Sequence, residues 1–274
     1  MVGNAWFHLA DARLGQRLVL AERDCMRDWL GAMLEVERNP FGVEVREYGA
    51  ATALVCSKIP AQVFNRVFNM TAADREHIPA ILEFYRERDA EPLFDMSPYS
   101  TEAYWVGETV PTVLARQGLF AGAFHQMLYG VPVAEVPELP PGIEIRDVGE
   151  AEVGDFMGTY ERVWGDAGAI KVLVGREEFV CYVAYVDGQA AGLGVLHVAN
   201  GVGSMANALT VPALRGRGCQ TALLWRRMAE ASKRGCDLLV SQCMPGSDSQ
   251  RNQLRVGLRV AGTKAWWVPL GGSR

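Results

Sequence analysis

The segment Val136-Pro137-Glu138-Leu139-Pro140-Pro141-Gly142 constrains this chain more than any other stretch. Prolines lack the N–H that a helix interior or a central strand needs, and they fix the backbone besides. The segment therefore reads as a linker. It divides the 274-residue chain into halves of nearly equal length, 1–136 and 142–274. At ~150 residues per domain, two units are expected. With 49% apolar and 22% charged residues, each half has enough material for a core.

The second half reads clearly. Asp155 to Trp164 has helical patterning, and Phe179 to Val186 is an apolar, β-branched and aromatic run that suits a buried strand. Asp187-Gly188 is a hairpin signal, with Ala190 to Val198 as the returning strand. Asn200-Gly201 marks another turn, and Ser204 to Val211 a third strand that Pro212 ends. The glycine-rich loop Arg215-Gly216-Arg217-Gly218-Cys219-Gln220 then opens a helix of about 14 residues, roughly four turns. Leu224, Trp225, Met228 and Ala231 form its apolar face, with Arg226, Arg227, Glu230 and Lys233 expected in water. Gly235 ends it, Cys236 to Cys243 is a strand, a short helix stops at Gly257, and Arg259 to Val268 is the last strand.

The first half echoes this ending. Ile78 to Arg88 reads as helix, Pro92 to Met96 as strand, Thr112 to Gln117 as helix and Leu119 to Tyr129 as strand. Even the letters repeat, Arg116-Gln117-Gly118-Leu119 against Arg255-Val256-Gly257-Leu258, with each glycine capping a helix before a final strand. The pattern implies two copies of one mixed α/β fold, each with a mostly antiparallel sheet flanked by helices.

Composition narrows the function. A net charge of −5 argues against a general nucleic-acid binder, while leaving room for a local basic patch. Six cysteines without a CxxC and four dispersed histidines give no zinc pattern, so no metal is expected. Cysteines in apolar runs point to packed thiols and a reducing, cytoplasmic compartment. Neither a signal segment nor an apolar run long enough for a membrane span is visible, so no membrane partner is expected.

The strand–loop–helix over 210–223 carries the chemistry. The first N–H groups of a helix have no internal partner and carry the positive end of its dipole. Glycines let a ligand approach the backbone, and Arg215 and Arg217 add charge. This is an anion site suited to a phosphate or pyrophosphate. A Walker loop is excluded, since no Lys follows Gly218, and a dinucleotide fingerprint lacks its third glycine, Thr221 standing there.

The loop resembles motif A of the GNAT-type N-acetyltransferases, whose phosphate loop reads Q/R-x-x-G-x-G/A. It matches at Arg215 and Gly218, with Gln220 in the last position. Val211-Pro212 is similar to the family's V-x-P entry, and Ser249 to Leu258 fills the place of its motif B. The resemblance covers the second half closely and the first half faintly. Paired halves with one degenerate copy occur in this superfamily.

What the resemblance implies is a transfer of acetyl from acetyl-CoA to an amine of a small molecule. Leu209, Thr210 and Val211 would offer backbone groups to the pantetheine arm. Gly216, Arg217, Gly218, Cys219, Gln220 and Thr221 would cradle the pyrophosphate, with Ser249 and Asn252 beside the arm. In the first half the equivalent segment, Thr71 to Glu76, has no glycine and carries Asp74 and Glu76, so a structural copy without cofactor is expected. Relatives often place a Glu on the strand before the loop and a Tyr four residues before the motif B glycine. Here the strand has no carboxylate and the second position is Gln253. The catalytic residues thus stay unassigned; Tyr160, Glu161, Trp164 and His197 are the substitutes within reach of the expected acceptor side. A catalytically impaired coenzyme-A-binding sensor or interaction module is the alternative, and the sequence leaves the acceptor and a homodimer open.

Overall fold

The computed structural model describes residues 11–59, 61–99 and 108–271. The first half opens with a long helix, α1 (Ala12–Leu34), and a hairpin of β1 (Val43–Tyr48) and β2 (Ala51–Cys56). It continues with β3 (Arg66–Phe68), α2 (Ile78–Arg86), β4 (Leu93–Met96), α3 (Val110–Arg116) and β5 (Leu119–Gly130). After the linker come β6 (Ile143–Asp147), α4 (Val153–Trp164), the single-turn α5 (Gly168–Lys171), β7 (Phe179–Val186) and β8 (Gln189–Ala199). The chain closes with β9 (Val202–Ser204), β10 (Ala208–Thr210), α6 (Cys219–Lys233), β11 (Leu238–Cys243), α7 (Asp248–Arg255) and β12 (Arg259–Pro269).

The repeated ending is present in both halves. Gly118 and Gly257, at φ 80° and 95°, turn the chain out of α3 and α7 and into β5 and β12. A side chain there would be strained, which is why the same letter recurs at both places. Between these elements the sheet runs β1-β2-β3-β4-β12-β5-β11-β9-β8-β7-β6, with β10 paired to β8 off that path. Only β3 with β4 and β9 with β11 are parallel, the rest being antiparallel.

The two halves exchange their last strands. β12 lies between β4 and β5, both from the first half, and β5 lies between β12 and β11. The β5–β12 ladder runs from Leu119↔Pro269 to Tyr129↔Arg259 and welds the halves into one sheet.

α1 was not foreseen from the sequence. It lies across the junction and packs on β1 and β2 of its own half and on β8, β9 and β11 of the other. Its buried residues, from Leu18 to Met33, recur every three to four positions and form one broad face. Asp11 caps it by accepting from the Leu14 N–H at 2.7 Å. On this α1 face, Trp29 Nε1 donates to Ala169 O at 2.7 Å, and Asp28 meets His197 on β8 at 2.7 Å. The opposite face carries α6 and a second cluster that includes Leu223, Met228, Leu239 and Leu258. All six cysteines are free and buried, as packed thiols.

Candidate functional site

The stretch read as one strand, Ser204 to Val211, is two. β9 pairs with β11 up to Ser204↔Val240, and the Met205 N–H donates the last rung to Val240 O at 2.8 Å. The backbone then breaks at 205–207, and β10 pairs with β8 alone. Past Val240, β11 keeps β5 as its only described neighbour, so the sheet opens between β10 and the end of β11.

Arg227 holds the break. It was expected in water but is 1% exposed. Its Nη1 donates to Val195 O at 3.4 Å and Ala206 O at 3.3 Å, while Nε bonds Leu223 O. Burial lowers its pKa to about 10, which leaves it charged at neutral pH. Glu230, also expected outside, is buried against Arg234 at 3.0 Å. Both lie at helical spacing on the face of Leu223, Leu224 and Ala231; what the sequence does not show is the pair of carbonyls, on β8 and in the break after β9, that receives the Arg227 guanidinium there.

The glycine loop stands at the mouth of the gap. Gly218 is the residue before α6, at φ 95°, and supplies no side-chain cap. The first internal bond of the helix is Ala222 N–H to Gly218 O, so the N–H groups of Cys219, Gln220 and Thr221 lack acceptors within α6. Gly216, at φ 77°, has open space where a Cβ would stand. A Cβ on Gly218 would meet Ile143 Cδ1 at 3.2 Å and Pro140 Cγ at 3.6 Å. A side chain on Gly218 would thus point to the linker and β6.

A cleft of about 640 Å³ opens in front of these N–H groups. Leu209, Thr210, Gly216, Gly218, Cys219, Gln220, Thr221, Ser249 and Asn252 all line it, joined by Trp164, Arg215 and Arg255. The sequence-derived positions are thus brought together from three elements. Gln220 ties α6 to α7, donating from Nε2 to Ser249 Oγ at 3.1 Å and accepting from Asn252 Nδ2 at 2.6 Å. Gln253 is buried and donates to Ser249 Oγ at 3.0 Å.

Two of the expected positions lie differently. Val211 has no backbone group to offer: its N–H donates to Ala191 O at 2.8 Å and its carbonyl accepts from Leu214 N–H at 2.9 Å. The strand pleat alternates, so Leu209 shares the β8-facing direction, and Ala208 and Thr210 turn their backbone to the gap. Arg217 is half-exposed beside Asp187 at 3.4 Å and is not part of the cleft wall.

Of the substitutes for the missing acid and base, Trp164 lines the cleft, with its ring 5.2 Å from that of Tyr160, edge to face. Burial raises the Tyr160 pKa, which keeps the phenol neutral. Glu161 is exposed and outside the cleft. His197 is 1% exposed and bound to Asp28 beneath α1, so it does not reach the cleft. The only carboxylate in the described cleft wall is Asp248, which is ion-paired with Arg251. Among the described residues no group of three His, Cys, Asp or Glu is placed to hold a metal ion, and no helix is long and apolar enough to cross a membrane.

In the first half the counterpart of the loop is a 3-10 helix, Ala72–His77. The Asp74 carboxylate is consumed there, accepting from Thr71 N–H and the Ala50 N–H, each at 2.9 Å.

No family model and no curated protein matches this sequence. Solved structures match it in shape. A GCN5-related N-acetyltransferase from Kribbella flavida is 16% identical with TM-score 0.67, over 97% of this chain and 97% of that one. Another from Sphaerobacter thermophilus is 14% identical with TM-score 0.59, over 94% and 91%. The chain therefore has the fold of the GNAT N-acetyltransferases. More particularly it is similar to the tandem form: a tandem GNAT protein from the clavulanic acid biosynthesis pathway aligns at 12% identity and TM-score 0.58, over 94% of this chain and 98% of that one.

Proposed function

We propose that the second half, 142–274, binds acetyl-CoA and transfers its acetyl group to an amine of a small molecule, while the first half, 1–136, is a copy without cofactor. One observation carries the reading: the N–H groups of Cys219, Gln220 and Thr221 have no acceptor within α6 and face a cleft that β10, the strand bordering the opening of the sheet, also lines. The donors suit a pyrophosphate, and the open space at Gly216 leaves room for it. Bound there, acetyl-CoA supplies an activated thioester carbonyl.

The chain's own residues do the rest. Cys219, Gln220 and Thr221 bind phosphate oxygens through backbone N–H groups. Thr210 turns its backbone to the gap, as one more strand edge for an extended arm. Arg227 keeps the gap open from the opposite side of the sheet by fixing Val195 and Ala206. With no unpaired carboxylate in the described cleft wall, acceleration rests on positioning, and the amine's proton leaves to water.

That same feature favours a second reading, a coenzyme-A-binding sensor without catalysis. Calorimetric titration of acetyl-CoA, followed by a thiol-release assay over a panel of primary amines, separates the two. Binding with amine-dependent thiol release supports the transferase, binding alone supports the sensor, and no binding removes both.

A further inference from the structure

The exchanged strand β5 carries polar groups that the cofactor reading leaves unused. His125 Nδ1 and Gln242 Oε1 are both buried, and neither has a hydrogen-bond partner among the described residues. They stand on neighbouring strands. Gln242 on β11 lies opposite Met127 on β5, and His125 is two residues from Met127 along the same strand. Residues opposite each other in an antiparallel pair share a face, and so do residues two apart, so His125 and Gln242 are diagonal neighbours. The face is that of α1, because Met127 packs with Leu18, Val19 and Val240.

Their place along the sheet is also defined. The ladder between β9 and β11 ends at Val240, and Gln242 lies two residues beyond, where β11 borders the opening. His125 is held rigidly beside it. Its ring stacks on Trp266 at 3.7 Å, and Trp266 Nε1 donates to Asp95 Oδ2 at 3.3 Å. Asp95 in turn pairs with Arg66 and with Lys264, which also pairs with Glu22 on α1. Four buried charges of balanced sign thus fix the indole on which the imidazole rests.

An acceptor subsite explains why two orphaned groups persist side by side. Burial, with help from Lys264 and Arg66, lowers the His125 pKa to about 4, so the ring is neutral and one nitrogen is an acceptor. The Gln242 carbonyl is a second acceptor. A neutral primary amine offers two N–H hydrogens, one for each. The four charges behind the ring balance, so burial is what disfavours an ammonium here and favours the unprotonated amine, the form that attacks a thioester.

We propose that His125, delivered by the first half, and Gln242 on β11 are positioning residues that hold the acceptor amine on the α1 face of the sheet opening. This rests on the acetyl-transfer reading and adds to it a role for the half that lacks the glycine loop. Neither residue lies in the phosphate cleft.

The test follows the imidazole 15N resonances of His125, assigned with His125→Gln, in protein saturated with CoA. Benzylamine, ethanolamine and spermidine are titrated in turn. The expected result is a shift of the His125 Nδ1 resonance with at least one amine, and a requirement for at least fivefold more of that amine in Gln242→Leu. CoA affinity should be unchanged in both variants, which also checks that they fold. No shift with any amine overturns the inference, as does a shift that Gln242→Leu leaves at the same amine concentration. The acetyl-transfer reading is judged separately, by whether the unsubstituted protein binds acetyl-CoA at all.

Discussion

Gly218 is the residue on which the candidate site turns. Its φ of 95° suits glycine, and a branched side chain would collide with Ile143 and re-aim the start of α6. Gly218→Val should therefore abolish acetyl-CoA binding, since each misaligned charge-assisted bond is worth ~1.5–3 kcal/mol. Arg217→Ala should weaken binding only about threefold, the scale of an exposed ion pair. Calorimetry on both variants checks the order; equal losses would show that side-chain charge, not backbone, holds the ligand. His125 gives a second prediction at this scale. Its folded pKa is near 4 against an ordinary 6.5, so between these values the unfolded chain binds the proton and the native protein does not. Stability should thus fall as pH drops from about 6.5 through about 4. Thermal melts across that window should show a shallower fall for His125→Gln, which has nothing to titrate there.

Among the elements, the contact between α6 and α7 decides whether the cleft keeps its far wall. α7 is eight residues long and mostly polar, with only Gln253 fully buried, so little apolar burial anchors it. Gln220 ties it down through Ser249 and Asn252. Gln220→Ala should remove two hydrogen bonds and destabilise by about 1–2 kcal/mol. Amide hydrogen exchange should quicken across 248–255 and stay unchanged in β7 and β8; uniform exchange in α7 would mean that the tie is incidental. The break between β9 and β10 is likewise a contact between elements, made by α6 through Arg227.

For the whole molecule, exchanged strands make each half depend on the other. Without the first half, β11 loses its β5 neighbour and β12 loses both of its own. Residues 142–274 expressed alone should therefore not give a cooperative thermal transition by circular dichroism. If the linker at 136–142 is cut by a protease in the folded protein, the pieces should co-elute on gel filtration until denaturant is added. Separation in native buffer would contradict the shared sheet.

Local chemistry was enough for much of this. The linker, the hairpins at 187–188 and 200–201, the helix-ending glycines at 118 and 257 and the glycine loop that opens α6 all depend on residues close together in sequence, where proline, glycine and helix ends act directly on the backbone. Nine of the eleven expected cofactor positions line one cleft, but Ser249 and Asn252 reach it only because α7 packs back on α6 through Gln220. What the sequence by itself left open was set by partners far along the chain. α1 finds its partners in strands of both halves, and Arg227 finds its acceptors on Ala206 and Val195, 21 and 32 positions away. Val211 loses its expected role through a bond to Ala191 on another strand. The exchange of β5 and β12 has no local signature at all: the same alternating strand closes its own half or its neighbour's, and only the packed sheet chooses.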